Sequence, residues 1–310
     1  MRMQDRLMNK LPVFILPLAW ALSCSANAAL YVTVVQGLGG MPEYESRFDE
    51  QTKTIIEASQ SITDEALVYS FTGEEATREN LIAHFNTAAE QMTDDDRMAI
   101  YLIGHGSYDG EQYKFNIPGP DITHLDLAEI MSALPGVRNF LVNTSSTSGA
   151  ILDSLETEDR IIVTATRNGN ERNSTEFGRF FAQSFSSPDA DLNKNDSISI
   201  QEAFDFAARG VEQFYESEGK LATEHPQLRG DAAAQFNLAR LSPVEITGES
   251  DLITQLLQQR QDLDNRIEQL QLQRSELSDT EYFQQLQDLV LQSATLTEEI
   301  DRLRGAAGGD

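Results

Sequence analysis

The sequence predicts an α/β domain with a mostly parallel sheet and helices on both faces, followed by an α-helical hairpin or coiled coil. Three observations carry this. Short apolar, β-branched runs such as Leu30–Gln36 (LYVTVVQ) recur along the first part of the chain. Stretches with helical spacing separate them, which is the signature of parallel strands buried on both sides. After Pro243 the spacing becomes that of heptads.

Strand one is Leu30–Gln36, closed by Gly37-Leu38-Gly39-Gly40. These glycines lack the spacing of a dinucleotide fingerprint and no Lys-Ser/Thr follows, so a tight turn is the reading preferred over a phosphate loop. Residues 45–59 have helical spacing, and 66–71 (ALVYSF) read as strand two. Thr77 caps a helix running to about Met92. Residues 98–104 are strand three. Thr123 with Asp126 opens a helix through Leu134, stopped by Pro135-Gly136. Residues 139–144 are strand four, 149–155 a short helix, and 160–166 (RIIVTAT) strand five; helices follow at 176–185 and 200–216. In such sheets ligands bind at the carboxyl ends of the strands.

In the last part, Ile253, Leu256, Leu263, Ile267, Leu270 and Leu277 keep the heptad, with Arg260 and Arg274 interrupting it. Ser278 with Glu281 forms a capping box where the pattern restarts at Tyr282, Leu286, Leu289, Ser293, Leu296, Ile300 and Leu303. The break favours a hairpin over 249–304 that pairs with itself or with a second copy, and residues 305–310 are expected to be a disordered tail.

Arg2, Arg6 and Lys10 precede the apolar run 11–22 and the small-residue site Ser25-Ala26-Asn27-Ala28. This is a secretory signal peptide over 1–28, which implies a periplasmic or secreted protein. The single cysteine, Cys24, lies inside it, so the mature chain forms no disulfide. Acylation of Cys24 is the weaker reading, because Ala21-Leu22-Ser23 makes a poor lipobox. The chain has 50 acidic and 23 basic residues. Removing 1–28 takes away three basic residues and one acidic, leaving a net charge of about −29. Such a surface repels nucleic acid and anionic lipid and promotes solubility. No later segment is long and apolar enough to span a membrane.

Of the four histidines, only His105 stands at a strand end followed by glycine; His84, His124 and His225 read as structural or loop residues. Gly106 can offer its N–H to a developing oxyanion. Forty residues later the strand-four turn carries Ser145, Ser146, Thr147, Ser148 and Gly149. His105-Gly106-Ser107 with Asp109-Gly110, residues 113–120, Ser146-Thr147-Ser148-Gly149 and residues 164–171, together with Gly37–Gly40 and Tyr44, make residues 30–235 resemble the legumain-type peptidases of the caspase-like group.

The resemblance implies a caspase-like sheet. It makes His105 the base, Gly106 the oxyanion donor and Ser146 the occupant of the position where the family carries its cysteine, and it gives Arg47, Arg167 and Glu171 a ligand pocket. A serine hydroxyl is a far weaker acid than a thiol and needs an oriented base; Asp109 and Asp126 are candidates for orienting it by sequence proximity. The expected function is therefore a pseudo-peptidase that binds peptide or protein. Alternatives are a serine-type endopeptidase or esterase using Ser146 and His105, and a coiled-coil scaffold.

Residues 191–202 (DLNKNDSISIQE) fit a calcium loop of the EF-hand type. Asp191, Asn193 and Asn195 supply side-chain oxygens, Ser197 a carbonyl, Ser199 a hydroxyl and Glu202 a bidentate carboxylate. Asp196 stands where such loops carry glycine, and tolerates a left-handed backbone better than most residues. Few carboxylates predict a structural calcium of modest affinity, about 10⁻⁴–10⁻³ M.

Overall fold

The computed structural model describes residues 29–136, 139–241, 251–272, 274 and 277–307. The expected signal peptide lies outside them. The central sheet has six strands: β1 Leu30–Gln36, β2 Val68–Phe71, β3 Arg97–Ile103, β7 Phe140–Asn143, β8 Ile161–Thr164 and β10 Gln227–Arg229. Their order is β10-β8-β7-β3-β1-β2. All neighbours are parallel except β10, which closes one edge antiparallel to β8. Every residue of β1 and all but the first of β3 are buried, hence the unbroken apolar runs.

Alternation along the strands divides the core in two. Ala99, Tyr101 and Ile103 of β3 face α1 (Pro42–Gln60), α5 (Phe177–Ser184) and α6 (Ile200–Ser217). Met98, Ile100 and Leu102 face α2 (Arg78–Gln91), α3 (His124–Ala133) and α4 (Leu152–Leu155). The predicted helix starts have their caps. Thr77 accepts the Asn80 N–H at 3.2 Å, and Thr123 with Asp126 forms a capping box.

Three features lay beyond the sequence reading. A small antiparallel sheet, β4 (Gly106–Tyr108), β5 (Tyr113–Phe115) and β6 (Ile122–Thr123), follows β3. A two-stranded ribbon pairs β9 (Ser197–Ser199) with β11 (Asn237–Arg240). The third is β10. Residues 66 and 67, expected to begin strand two, belong instead to a 3₁₀ turn over 65–67, with the Asp64 carboxylate accepting the Ala66 N–H.

Helices α7 (Asp251–Leu272) and α8 (Asp279–Ala307) pack together around Leu263, Leu270 and Leu289. Ser278 and Glu281 exchange the hydrogen bonds of a capping box at the start of α8. Helix α8 continues to Ala307, so residues 305–307, expected to be disordered, are helical; each added turn satisfies the carbonyls of the one before. No described helix is long and apolar enough to cross a membrane.

Candidate functional site at the strand ends

The chain adds β2 on one side of β1 and β3, β7 and β8 on the other, so the connections diverge between β1 and β3. Such a switch point leaves a crevice at the carboxyl ends of the strands. The β1 turn brings Gly39 there, β3 delivers His105 and Gly106, and the neighbouring β7 delivers Ser146. The approach of β7 is close: a Cβ on Gly106 would lie 2.5 Å from the Ser146 carbonyl oxygen and 2.6 Å from Ser145 Oγ. Only glycine fits.

His105 and Ser146 are thus brought to adjacent strand ends, yet among the described residues no hydrogen bond joins ring to hydroxyl. Ser146 is buried, and its Oγ donates to the Gly106 carbonyl at 3.0 Å. The Gly106 N–H, the expected oxyanion donor, points at the same Oγ at 3.4 Å. The His105 ring instead faces the Gly39 carbonyl and packs edge-on against Tyr44 and Phe48, with centroids 4.7 and 5.1 Å away. Burial, and then the Arg47 cation, hold its pKa below the usual histidine value, against the pull of the Gly39 carbonyl.

Neither nearby carboxylate orients His105. Asp126 caps α3 and pairs with Arg78 at 2.5 Å, while Asp109 accepts two backbone N–H groups of its own turn and pairs with Lys114 at 3.7 Å. Asp109 is claimed within its own turn, while Asp126 is held both by its own helix cap and by Arg78, 48 positions away. Thr147, next to Ser146, has a left-handed backbone (φ 58°), an outlier for a β-branched residue. Its N–H donates to the Glu171 carbonyl at 2.9 Å, and its buried hydroxyl has no partner.

The proposed pocket residues fall on two sides of this turn. Arg47 lies beside His105, pairs with Glu176 at 3.3 Å and donates to the Thr175 carbonyl at 2.9 Å. Arg167 and Glu171 lie by Thr147. The Glu171 carboxylate takes the Arg167 N–H, the Arg167 guanidinium and the His225 ring, the last at 2.6 Å. His225 had read as a loop residue. Its neighbour Glu224 had gone unnoticed: it is buried and accepts the N–H groups of Glu176 and Phe177 at 2.7 and 3.1 Å, capping α5. No local pattern marks either residue, because their partners are about fifty positions away. The remaining histidines are structural. His84 is hydrogen-bonded to Thr33 between aromatic rings, and burial depresses its pKa to about 4. The His124 ring accepts the Tyr113 N–H.

The 191–202 loop is a second candidate, set between α5 and α6. Asp191 accepts the Asn195 and Asp196 N–H groups at 3.1 and 2.9 Å, Asn193 accepts Asn195 N–H at 3.0 Å, and Asn195 accepts Ser197 N–H at 2.9 Å. Glu202 joins both ends: one oxygen takes the Leu192 and Asn193 N–H groups, the other the Ser199 N–H and hydroxyl. Lys194 and Asp196 are left-handed, with φ of 58° and 59°.

Asp191 and Glu202 are only 9% and 6% exposed, and neither forms an ion pair among the described residues. Buried charges are ordinarily paired or coordinate a metal. No three His, Cys, Asp or Glu side chains gather to hold a metal among the described residues; the loop's other donors are amide, hydroxyl and carbonyl oxygens. An all-oxygen set of this kind suits calcium. Calcium there would be held by Asp191, Asn193, Asn195, Ser197, Ser199 and Glu202, tying α6 to the segment before it.

The fold and the strand-end site define a doubly covered, mostly parallel α/β protein. No protein-family model matches the chain, and no curated protein matches it. Among solved structures it is similar to a structural-genomics protein from Geobacter sulfurreducens, at 10% identity and a TM-score of 0.47, over 68% of this chain and 100% of that one. It is also similar to caspase-1 from Spodoptera frugiperda, at 9% identity and a TM-score of 0.42, over 70% of this chain and 92% of that one.

Proposed function

We propose that this protein is an exported, legumain- and caspase-related pseudo-peptidase that binds a peptide or protein at the strand-end crevice and holds one structural calcium in its 191–202 loop. One observation carries the first part. The Ser146 proton is directed at the Gly106 carbonyl, and the Gly106 N–H is directed at Ser146 itself. A serine nucleophile needs its proton on a base and its oxyanion donor free for the substrate. Here the two bonds close on each other, and the imidazole faces the Gly39 carbonyl instead of the serine. Tyr44, Arg47 and the Glu171–His225 pair then remain as recognition groups around a closed catalytic position. The calcium rests on the two buried, unpaired carboxylates. The α7–α8 hairpin offers a surface for association with a second copy.

The test uses a fluorophosphonate probe on the wild-type protein and a haloacetamide on Ser146→Cys. The expected results are no phosphonylation of the wild type and slow alkylation of the variant thiol, which is buried and has no imidazole aimed at it to take its proton. Wild-type labelling that disappears in Ser146→Ala would instead establish the serine-hydrolase alternative.

A further inference from the structure

We infer that cation binding in the 191–202 loop and docking of the C-terminal hairpin are coupled through Asp196 and Arg260. The inference rests on the calcium reading of that loop. Asp196 is not one of the proposed ligands, but it is joined to the first of them: its N–H donates to Asp191 Oδ2 at 2.9 Å. Its carbonyl accepts the Leu241 N–H at 3.0 Å, just past β11. Its carboxylate accepts the Arg260 guanidinium of α7 at 2.5 Å. One residue therefore meets the loop's first ligand, the strand that leads towards the hairpin, and the hairpin itself.

The contact on the hairpin side is polar and position-dependent. Arg260 is 8% exposed, and its buried Nε has no partner. Arg240 of β11 and Asp264 of α7 stand in the same electrostatic neighbourhood, and Ser293 of α8 donates to Asp264 at 3.1 Å. The hairpin's apolar cluster shares no residue with either core of the domain. The Arg260 guanidinium is buried while the Asp196 carboxylate is half-exposed, and a buried cation is costly unless its partner is in place.

A cation that fixes Asp191 fixes the Asp196 N–H, and so positions the carboxylate that Arg260 needs. By linkage, a docked hairpin must tighten cation binding by the same factor. Coulomb's law alone gives the opposite sign for loss of Arg260, since removing a positive charge near the loop favours a cation. The sign of the effect therefore discriminates.

The experiment titrates calcium into the full-length chain, Arg260→Met and Arg260→Lys by calorimetry, with hydrogen exchange on residues 251–272 with and without calcium. Calcium is expected to raise protection of α7 in the wild type. Arg260→Met should bind calcium about five-fold or more weakly, at the lower end of ordinary couplings, and lose the calcium-dependent protection. Arg260→Lys, which keeps the charge but not the fork, should weaken binding in the same direction. Far-ultraviolet dichroism serves as the check that the variants are folded. Equal or tighter binding by Arg260→Met, or unchanged α7 protection in a wild type that does bind calcium, overturns the coupling and leaves the calcium loop standing. No calcium binding by the wild type at about 10 mM, well above the expected affinity, overturns the loop reading and the coupling with it.

Discussion

The strand-end site and the 191–202 loop are both places where a short motif announces chemistry, and the fold treats them differently. At the strand ends the motif's residues are adjacent, but their protons and lone pairs are spent on the neighbouring backbone. Ser146 and Gly106 bond each other, and His105 faces the Gly39 carbonyl. In the loop, the side-chain oxygens bond backbone N–H groups of the loop itself, and two buried carboxylates form no ion pair among the described residues. Sequence proximity predicts which groups meet. Function depends on which lone pairs remain free once they have met.

The largest expected effect lies in the loop. Glu202→Ala removes the carboxylate that takes N–H groups from both loop ends and leaves the buried Ser199 donors and the part-buried Leu192 and Asn193 N–H groups without it. Stability should fall by about 3 kcal/mol, read as a drop in the urea midpoint. A loss below about 1 kcal/mol would mean that the loop is held by other contacts, and the comparison would lose one of its poles.

The next is a pH effect beside the strand ends. Burial, reinforced by the charge of Glu176, pushes the Glu224 carboxyl from 4.5 up to about 7, against the N–H groups it accepts. A raised folded-state pKa means that the native protein holds this proton more tightly than the unfolded chain. The stabilisation is complete below about pH 4.5 and is lost as pH rises through about 7. Its size is on the order of 3 kcal/mol. His84 acts in the opposite direction, because its depressed pKa costs stability as pH falls. The readout is therefore the difference between wild type and Glu224→Gln in urea unfolding at pH 5 and pH 8. Glu224→Gln should gain on the wild type as pH rises; a constant difference would show that Glu224 does not titrate in this window.

The smallest tests how tightly the catalytic position is closed. Gly106→Ala places a methyl against the Ser146 carbonyl, Ser145 Oγ and the Tyr113 ring. Overpacking should cost about 2 kcal/mol, seen as a lower melting temperature. A neutral substitution would show that β7 and β3 can move apart there, which would reopen the hydrolase alternative.

Much of the fold was legible because its signals are local. Fully buried parallel strands read as unbroken apolar runs, and Thr77, Thr123 and Ser278 cap helices through residues only three positions away. Strands β4, β5, β6, β9 and β10 were not legible. They are two or three residues long and partly polar, and exist only because a neighbouring strand pairs with them. At the strand ends, the order His-Gly then Ser-x-Ser-Gly was enough to anticipate adjacency. It could not reveal that His105 turns to Gly39, or that Asp126 is taken by Arg78.

The sequence by itself determined the alternation of strands and helices, the caps, the heptads and the residue types in each turn, because these depend on periodicity and on hydrogen bonds a few residues long. Only the tertiary structure decided where each proton points: Ser146 to a carbonyl, Glu224 under α5, Arg260 onto Asp196. Those choices are made between groups tens of residues apart in the chain, in places with little water, where each donor bonds whichever acceptor the packing brings within reach.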